Sequence, residues 1–223
     1  MRVVPVILTC DQNPEITSEF AASFNRHAPD ILPPVVTVDT SASLRLNSEY
    51  LKTIVTLLRP KAVYIHPPEP DMEVYYSVQE AATWGLARAL EEYPEEAAFL
   101  FMEDDIILSS RFSEIVGELK LSSQTGFVSL YLPGDGYGCE HIRPEDFYGT
   151  QCLLFPRKSV EILTDHWEQI KSLFPPGYDL RWARFLASKG LRPEAAPHSY
   201  VQHAGAVSRL HGSRSHKSEV FVP

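Results

Sequence analysis

The chain has 223 residues, 44% of them hydrophobic and 22% charged, which excludes an intrinsically disordered or fibrous protein. Its net charge of −9 argues against a general binder of nucleic acid, and no apolar run approaches the roughly 18 residues that a membrane helix requires. Three cysteines without the spacing of a metal site favour a reduced compartment over a disulfide framework. We therefore expect a soluble, cytoplasmic protein without a transmembrane segment.

The first half of the chain alternates between strand-like and helix-like patterns. Short apolar runs predict strands over residues 3–8, 35–38, 62–65 and 98–102. A helix lies between each pair: the first is expected to be capped by Thr17 or Ser18, and the third by a box of Ser77 and Glu80. This alternation predicts an α/β fold with a mostly parallel central sheet flanked by helices, in which ligands bind beyond the carboxyl ends of the strands.

The second half of the chain departs from this regular alternation. Its patterns predict strands over residues 127–132, 148–155 and 199–202, and helices over residues 156–173 and 179–189. Gly190 is expected to cap the last helix. Because no linker separates two parts of the chain, we expect residues 1–223 to form one domain.

Three consecutive carboxylates, Glu103, Asp104 and Asp105, follow the most apolar strand and precede another apolar run. Like charges at the edge of a core repel one another and resist desolvation, and a divalent cation would remove both costs. Oxygen ligands of this kind suit Mg²⁺ or Mn²⁺. The alternative is that one of the two aspartates caps the turn before Ser109.

Three stretches carry a resemblance to a known family. They are the apolar strand ending in Glu103-Asp104-Asp105, the segment FYGTQCLLF over residues 147–155, and the segment YVQHAG over residues 200–205, with a serine at position 208. Together they resemble GT-A-fold glycosyltransferases, and in particular the N-acetylglucosaminyltransferases that branch N-glycans. The resemblance covers roughly the C-terminal half of the chain and implies a GT-A-like, Rossmann-like version of the predicted sheet.

The resemblance implies a metal site and donor contacts. Asp105 would coordinate the metal, Mn²⁺ or Mg²⁺, that bridges the diphosphate of a nucleotide-sugar, and His203 would be the second protein ligand. Asp104 or Glu103 would contact the ribose or orient waters of the metal. For His203 the alternative is an ordinary surface histidine.

The basic residues near the end of the chain are also interpreted through the resemblance. Arg209 and Arg214, with Lys217, would close over the donor phosphates as part of a mobile basic tail over residues 205–223. A frayed terminus is the alternative. On the same interpretation, residues 1–110 form the nucleotide-sugar-binding half and residues 111–204 the acceptor-side half.

A catalytic base and further donor contacts complete the predicted site. Asp179 matches a position where related enzymes carry an acidic residue at the start of a helix, and Asp135 in the loop PGDGYG is its rival. The alternative for Asp179 is a plain helix N-cap. Thr9 and Asp39 end the first two strands, where the nucleoside of the donor would lie, although an aspartate there also suits a turn.

We therefore expect a metal-dependent glycosyltransferase that moves a sugar, with inversion, from a nucleotide-diphosphate donor such as a UDP-sugar to a hydroxyl of a saccharide acceptor. Two other classes of protein stay open. A metal-dependent phosphoryl or nucleotidyl transferase would use the same acidic cluster with two metals and further carboxylates. A non-catalytic module that binds a sugar nucleotide or a glycan would need no catalytic base.

Overall fold

The computed structural model describes residues 1–9, 13–41, 46–67, 74–134, 136–138, 140–173, 177–204 and 217–223. Nine strands occur in this described part of the chain: β1 Val3–Thr9, β2 Val35–Asp39, β3 Ala62–His66, β4 Ala98–Glu103, β5 Ile106–Leu108, β6 Thr125–Ser129, β7 Cys152–Pro156, β8 Arg192–Ala195 and β9 Val201–His203. Its helices are α1 Pro14–His27, α2 Ser48–Leu58, α3 Val74–Glu92, α4 Phe112–Glu118, α5 Arg157–Asp165, α6 Trp167–Leu173 and α7 Tyr178–Ser188. No described helix has both the length and the apolar character that crossing a bilayer demands.

Seven strands form the central sheet, in the order β3-β2-β1-β4-β7-β6-β8. Strands β1 to β4 pair in parallel, as do β6 and β8, whereas β7 runs antiparallel to both of its neighbours. The predicted α/β fold with a mostly parallel sheet is therefore confirmed. Since β6 and β8 share the direction of β4, the carboxyl ends of six strands meet at one edge of the sheet, together with the amino end of β7.

Helices cover both faces of the sheet, because β4 alternates its apolar side chains between them. Phe99 and Phe101 pack with Trp182 and the other residues of one core cluster, on the side of α3, α5 and α7. Leu100 and Met102 pack on the opposite face, which α1 and α2 cover. A strand buried on both faces reads as a continuous apolar run, which is why the sequence predicts β4 so clearly.

A two-stranded sheet joins the segment after the acidic triplet to the end of the second half. Strand β5 pairs antiparallel with β9, so that Ile106 lies opposite His203 and Leu108 opposite Val201. The backbone N–H of Ala204 also donates to the carbonyl of Asp105 at 2.7 Å. This pairing places the triplet and His203 at the same edge of the molecule.

Two predicted helix starts are wrong. Helix α1 is capped by Asn13, whose side chain accepts from the N–H of Glu15 at 3.0 Å, because Pro14 suits the first helical position. The predicted cap Thr17 lies buried one turn later. The proposed capping box at Ser77 lies inside α3, and its hydroxyl donates to Asp39 instead.

Other differences concern the second half of the chain. The segment predicted as one helix over residues 156–173 is two helices, with a break at His166. The strand predicted over residues 148–155 starts only at Cys152, since Gly149 has a φ of +100° and cannot continue an extended strand. The last helix is confirmed to within a residue, and Gly190 follows it with a φ of +78°.

Residues 217–223 pack beside β9. The backbone N–H of Ser199 donates to the carbonyl of Val220 at 3.2 Å, and that of Val222 donates to the carbonyl of Ser199 at 3.0 Å. The side-chain amide of Gln202 bonds both the N–H and the carbonyl of Ser218. This part of the predicted basic tail is therefore held to the rest of the protein at several points, with the Lys217 side chain exposed.

Candidate metal and donor site

The predicted site residues lie at the carboxyl edge of the central sheet. Thr9 is the last residue of β1, Asp39 the last of β2 and Glu103 the last of β4. The strand register aligns these ends, because Leu8 lies opposite Glu103. Polar side chains from neighbouring parallel strands therefore collect along one edge, where ligands of such sheets bind.

The two predicted metal ligands, Asp105 and His203, lie next to each other. The Nε2 atom of His203 lies 3.0 Å from Oδ2 of Asp105, and the imidazole side chain is only 5% exposed. The other carboxylate oxygen of Asp105, Oδ1, is buried and has no hydrogen-bond partner among the described residues, although 32% of the side chain as a whole is exposed. An oxygen in this state costs free energy unless a cation or a donor group binds it.

The donor set of this pair fits a divalent cation. One carboxylate and one imidazole suit Mn²⁺, while Mg²⁺ would favour the oxygen. Among the residues that the structure describes, no group of three His, Cys, Asp or Glu side chains is placed to hold a metal. A cation at Asp105 and His203 would therefore take its other ligands from water and from a bound substrate, as Mg²⁺ does at phosphate sites.

Asp104 points away from Asp105, into the protein. Its Oδ2 accepts hydrogen bonds from the hydroxyl of Thr17 at 2.5 Å and from that of Tyr50 at 3.1 Å. The hydroxyl of Thr9 is buried in the same network and forms a short hydrogen bond with Tyr50. These contacts join β1 and β4 to α1 and α2, which favours a supporting role for Thr9 and Asp104 rather than direct contact with a donor.

The ionisation of Asp104 reflects this environment. Burial raises the pKa of Asp104 to about 6; the hydrogen bond from Thr17 opposes the rise, while the charge of Asp105 adds to it. Burial also raises the pKa of Tyr50 above its ordinary value, with the charge of Asp104 as the second cause. The tyrosine therefore stays a hydrogen-bond donor to the carboxylate.

Asp39 is fully buried and surrounded by donors. Its Oδ1 accepts from Ser77 at 2.8 Å, its Oδ2 accepts from Ser41, and Nδ1 of His66 lies 3.4 Å from Oδ1 without good hydrogen-bond geometry. Burial on its own would raise the pKa of Asp39, but the contacts with His66, Ser41 and Ser77 outweigh it and lower the pKa. Because Asp39 is enclosed, it would influence a donor through Ser41 or His66.

The segment just before β7 links Glu103 to Asp179. Oε1 of Glu103 accepts from the hydroxyl of Thr150 at 2.6 Å, and Oδ2 of Asp179 accepts from the backbone N–H of Gly149 at 3.3 Å. Asp179 lies in the first turn of α7, but the residue at the N-cap position is Gly177, so the plain N-cap interpretation is wrong. The structure thus brings the predicted base to the segment that also contacts the acidic triplet.

Neither Asp104 nor Asp105 caps the turn before Ser109. Residues Ile106–Leu108 after the triplet form a strand, and helix α4 beyond them has no side-chain cap. The alternative interpretation of the triplet as a capping feature before Ser109 is therefore wrong.

Tyr131 lies near the site but carries no signal in the sequence. Tyr131 is fully buried, and burial together with the nearby Tyr148, Glu103 and Asp105 raises its pKa above the ordinary value. Gly149 packs so closely against it that an added Cβ would lie 3.0 Å from the tyrosine ring. Only the fold brings these residues together, since they come from different loops and strands.

Three predicted site residues, Asp135, Arg209 and Arg214, lie outside the described residues. The chain matches no protein-family model and no curated protein.

Proposed function

We propose that the protein is a metal-dependent glycosyltransferase with a GT-A-like fold. It moves a sugar from a nucleotide-diphosphate donor, such as a UDP-sugar, to a hydroxyl of a saccharide acceptor, with inversion at the anomeric carbon. The observation that carries this proposal is the pair of Asp105 and His203, 3.0 Å apart, with one carboxylate oxygen of Asp105 buried and unpartnered. The mostly parallel sheet flanked by helices is consistent with such an enzyme.

The two ligands have a clear chemical task in this proposal. A nucleoside diphosphate leaves a sugar only when its developing negative charge is neutralised, and a bound divalent cation supplies that neutralisation as a Lewis acid. Asp105 and His203 would hold the cation. The pairing of β5 with β9 fixes their backbones against each other, so the ligand pair is held by rigid elements rather than by a loop.

Asp179 is the residue proposed to accept the proton of the attacking hydroxyl. Its side chain is partly exposed, and Oδ1 accepts a local hydrogen bond from the N–H of Leu180 at 2.8 Å. Oδ2 accepts from the backbone N–H of Gly149 at 3.3 Å, and an ionised carboxylate is a group that can take up a proton. A positioned general base contributes about 10²–10⁴-fold to a rate.

The test is a screen of sugar release from a panel of nucleotide-sugars, with and without Mn²⁺, using the wild-type protein and Asp179→Asn. We expect release from one donor only when Mn²⁺ is present, and a loss of about 10²-fold or more in the variant. Donor affinity, measured by calorimetry, should stay within about twofold, because the substitution keeps the shape of the side chain.

Other outcomes of the same screen would overturn the proposal. Hydrolysis of the nucleotide itself without release of an intact sugar would indicate a phosphoryl or nucleotidyl transferase. Binding of a glycan with no affinity for any nucleotide would indicate a non-catalytic module. Full activity of Asp179→Asn would refute the assignment of the base.

A further inference from the structure

A cavity of about 720 Å³ lies at the carboxyl ends of β6 and β8, and neither Asp105 nor His203 is among its described lining residues. Its walls come from α4, from the ends of β6 and β8, from residues 136–138 and from Glu140; they include Ile115, Leu132, Tyr137, Ala196, Tyr200 and Val220. Its volume lies within the range of about 300–1,000 Å³ that is typical of small-molecule sites.

The direction of the strands places this cavity on the ligand-binding side of the sheet. Strands β6 and β8 run parallel to each other, and both end at the edge where β1, β2 and β4 end. Ala195 is the last residue of β8 and lines the cavity together with Ala196. The cavity therefore lies at the same edge as the proposed metal site, which follows the central strand β4, with β7 between β4 and β6 in the strand order.

The charge of the described lining residues disfavours binding of a nucleotide. Among its described lining residues are the carboxylates of Glu118, Glu140 and Glu194 and a single cation, Lys120. Phosphate groups would be repelled by this excess of negative charge. Carboxylates instead accept hydrogen bonds from neighbouring hydroxyl groups, and the phenol ring of Tyr137 offers an apolar surface on which a sugar ring can lie.

Tyr137 connects the cavity to the proposed base. Its hydroxyl donates to the carbonyl of Tyr148 at 2.7 Å and accepts from the N–H of the same residue at 3.0 Å. The next residue, Gly149, donates its N–H to Asp179. One wall of the cavity is therefore two hydrogen-bonded contacts away from Asp179, which also lies close enough for its charge to contribute to the raised pKa of Tyr137.

We propose that this cavity binds the saccharide acceptor, as an oligosaccharide without negative charge and preferentially with free amino groups. The inference rests on the proposed glycosyltransferase function and names the acceptor class for it. Residues 217–223 take part in the site, because Val220 lines the cavity and the N–H of Glu219 donates to the carbonyl of Gly134 at 2.7 Å. Residues 217–223, which also form hydrogen bonds with Ser199, therefore form part of the wall of the proposed acceptor cavity.

The test uses three trisaccharides of similar size and different charge as calorimetric probes. They are trimers of glucosamine, which is cationic, of N-acetylglucosamine, which is neutral, and of galacturonic acid, which is anionic. We expect the glucosamine trimer to bind most tightly, the neutral trimer less tightly and the anionic trimer not at all. Equal binding of the anionic trimer, or no binding of any trimer, would overturn the inference.

Charge-reversal variants locate the binding. Glu118 and Glu140 are exposed lining residues, and the double variant Glu118→Lys/Glu140→Lys should weaken the glucosamine trimer about tenfold or more. Glu19→Lys, an exposed position on α1 remote from the cavity, is the matched control and should leave the affinity unchanged. Unchanged affinity in the double variant would place the trimer elsewhere and refute the site.

Measuring UDP binding beside trimer binding distinguishes a failure of the cavity proposal from a failure of the proposed glycosyltransferase function. Mn²⁺-dependent binding of UDP should be the same in the wild type and in the double variant, because neither Asp105 nor His203 is among the described residues that line the cavity. Trimer binding that depends on the two glutamates, in a protein with no affinity for UDP, would refute the transferase and support a glycan site in the cavity. UDP binding with no trimer binding would refute the assignment of the cavity as the acceptor site and leave the proposed glycosyltransferase function standing.

Discussion

Asp104 and Asp105 are adjacent in the chain but have opposite environments. Asp104 is 7% exposed and accepts hydrogen bonds from hydroxyl groups of α1 and α2. Asp105 is partly exposed, faces His203 and keeps an unpartnered oxygen. The comparison shows that a run of carboxylates can divide its tasks: one residue holds the strand end in place, and the next is left with capacity to bind a ligand.

If Asp104 supports the fold and Asp105 binds the ligand, the largest expected effect is a loss of nucleotide binding in Asp105→Asn. Removing one of the two proposed protein ligands should reduce Mn²⁺-dependent affinity for UDP by at least about 100-fold, since even partners of metal ligands account for about 10–100-fold. Calorimetric titration of UDP with and without Mn²⁺ measures the change. Asp165→Asn, at an exposed position in α5, is the control. Retained affinity in Asp105→Asn would show that the two aspartates do not differ in function.

The fold explains how much of this comparison could be predicted from the sequence. Alternating patterns predicted the strand ends, and parallel pairing then required Thr9, Asp39 and Glu103 to share one edge. The proximity of His203 to Asp105 depends on the pairing of β5 with β9, and only the family resemblance suggested it. Periodicity within single segments contains no information about such distant pairs.

The direction in which each carboxylate points could not be predicted either. It depends on Thr17 and Tyr50, which come from two helices far from the triplet in the chain. Strand β8 was missed because its sequence, RPEA, combines a proline with charged residues and lacks the β-branched residues typical of strands. It forms because β6 offers it a parallel partner.

The second effect concerns the pH dependence of stability. Because the pKa of Asp104 is raised from 3.8 to about 6, the folded protein binds more protons than the unfolded chain between these values. Its contribution to stability is therefore complete below the lower value and is lost as the pH rises through the higher one, by up to about 3 kcal/mol.

Chemical denaturation below, within and above this pH interval tests this expectation. The difference between wild type and Asp104→Asn isolates the contribution, because the other titrating groups, including Asp105 and Asp39, are common to both. Parallel stability curves for the two proteins would show that Asp104 is ionised as readily in the folded as in the unfolded state.

A smaller effect is expected when the network around Asp104 loses one donor. Tyr50→Phe removes the hydroxyl that donates to Asp104 and bonds Thr9, and should lower the free energy of unfolding by about 2 kcal/mol. Tyr93→Phe is the control: its exposed hydroxyl donates to the neutral carbonyl of Pro33, so the loss should be about 1 kcal/mol or less. Equal losses of unfolding free energy in the two variants would show that the hydrogen bond to Asp104 stabilises the fold no more than an ordinary one.

The smallest effect is on the stability of Asp105→Asn. The substitution removes a charge that disfavours the ionised form of Asp104, so we expect a gain in stability below about 1 kcal/mol. Thermal denaturation with and without Mn²⁺ measures it, and only the wild type should gain further from the metal. A clear loss of stability would show that Asp105 also supports the fold.

The pairing of β5 with β9 has a consequence for biosynthesis. Asp105 is synthesised before β6, β7 and β8, whereas His203 follows them in the chain. A nascent chain therefore carries the carboxylate before its imidazole partner exists. The ligand pair that we propose should form only when β9 pairs with β5.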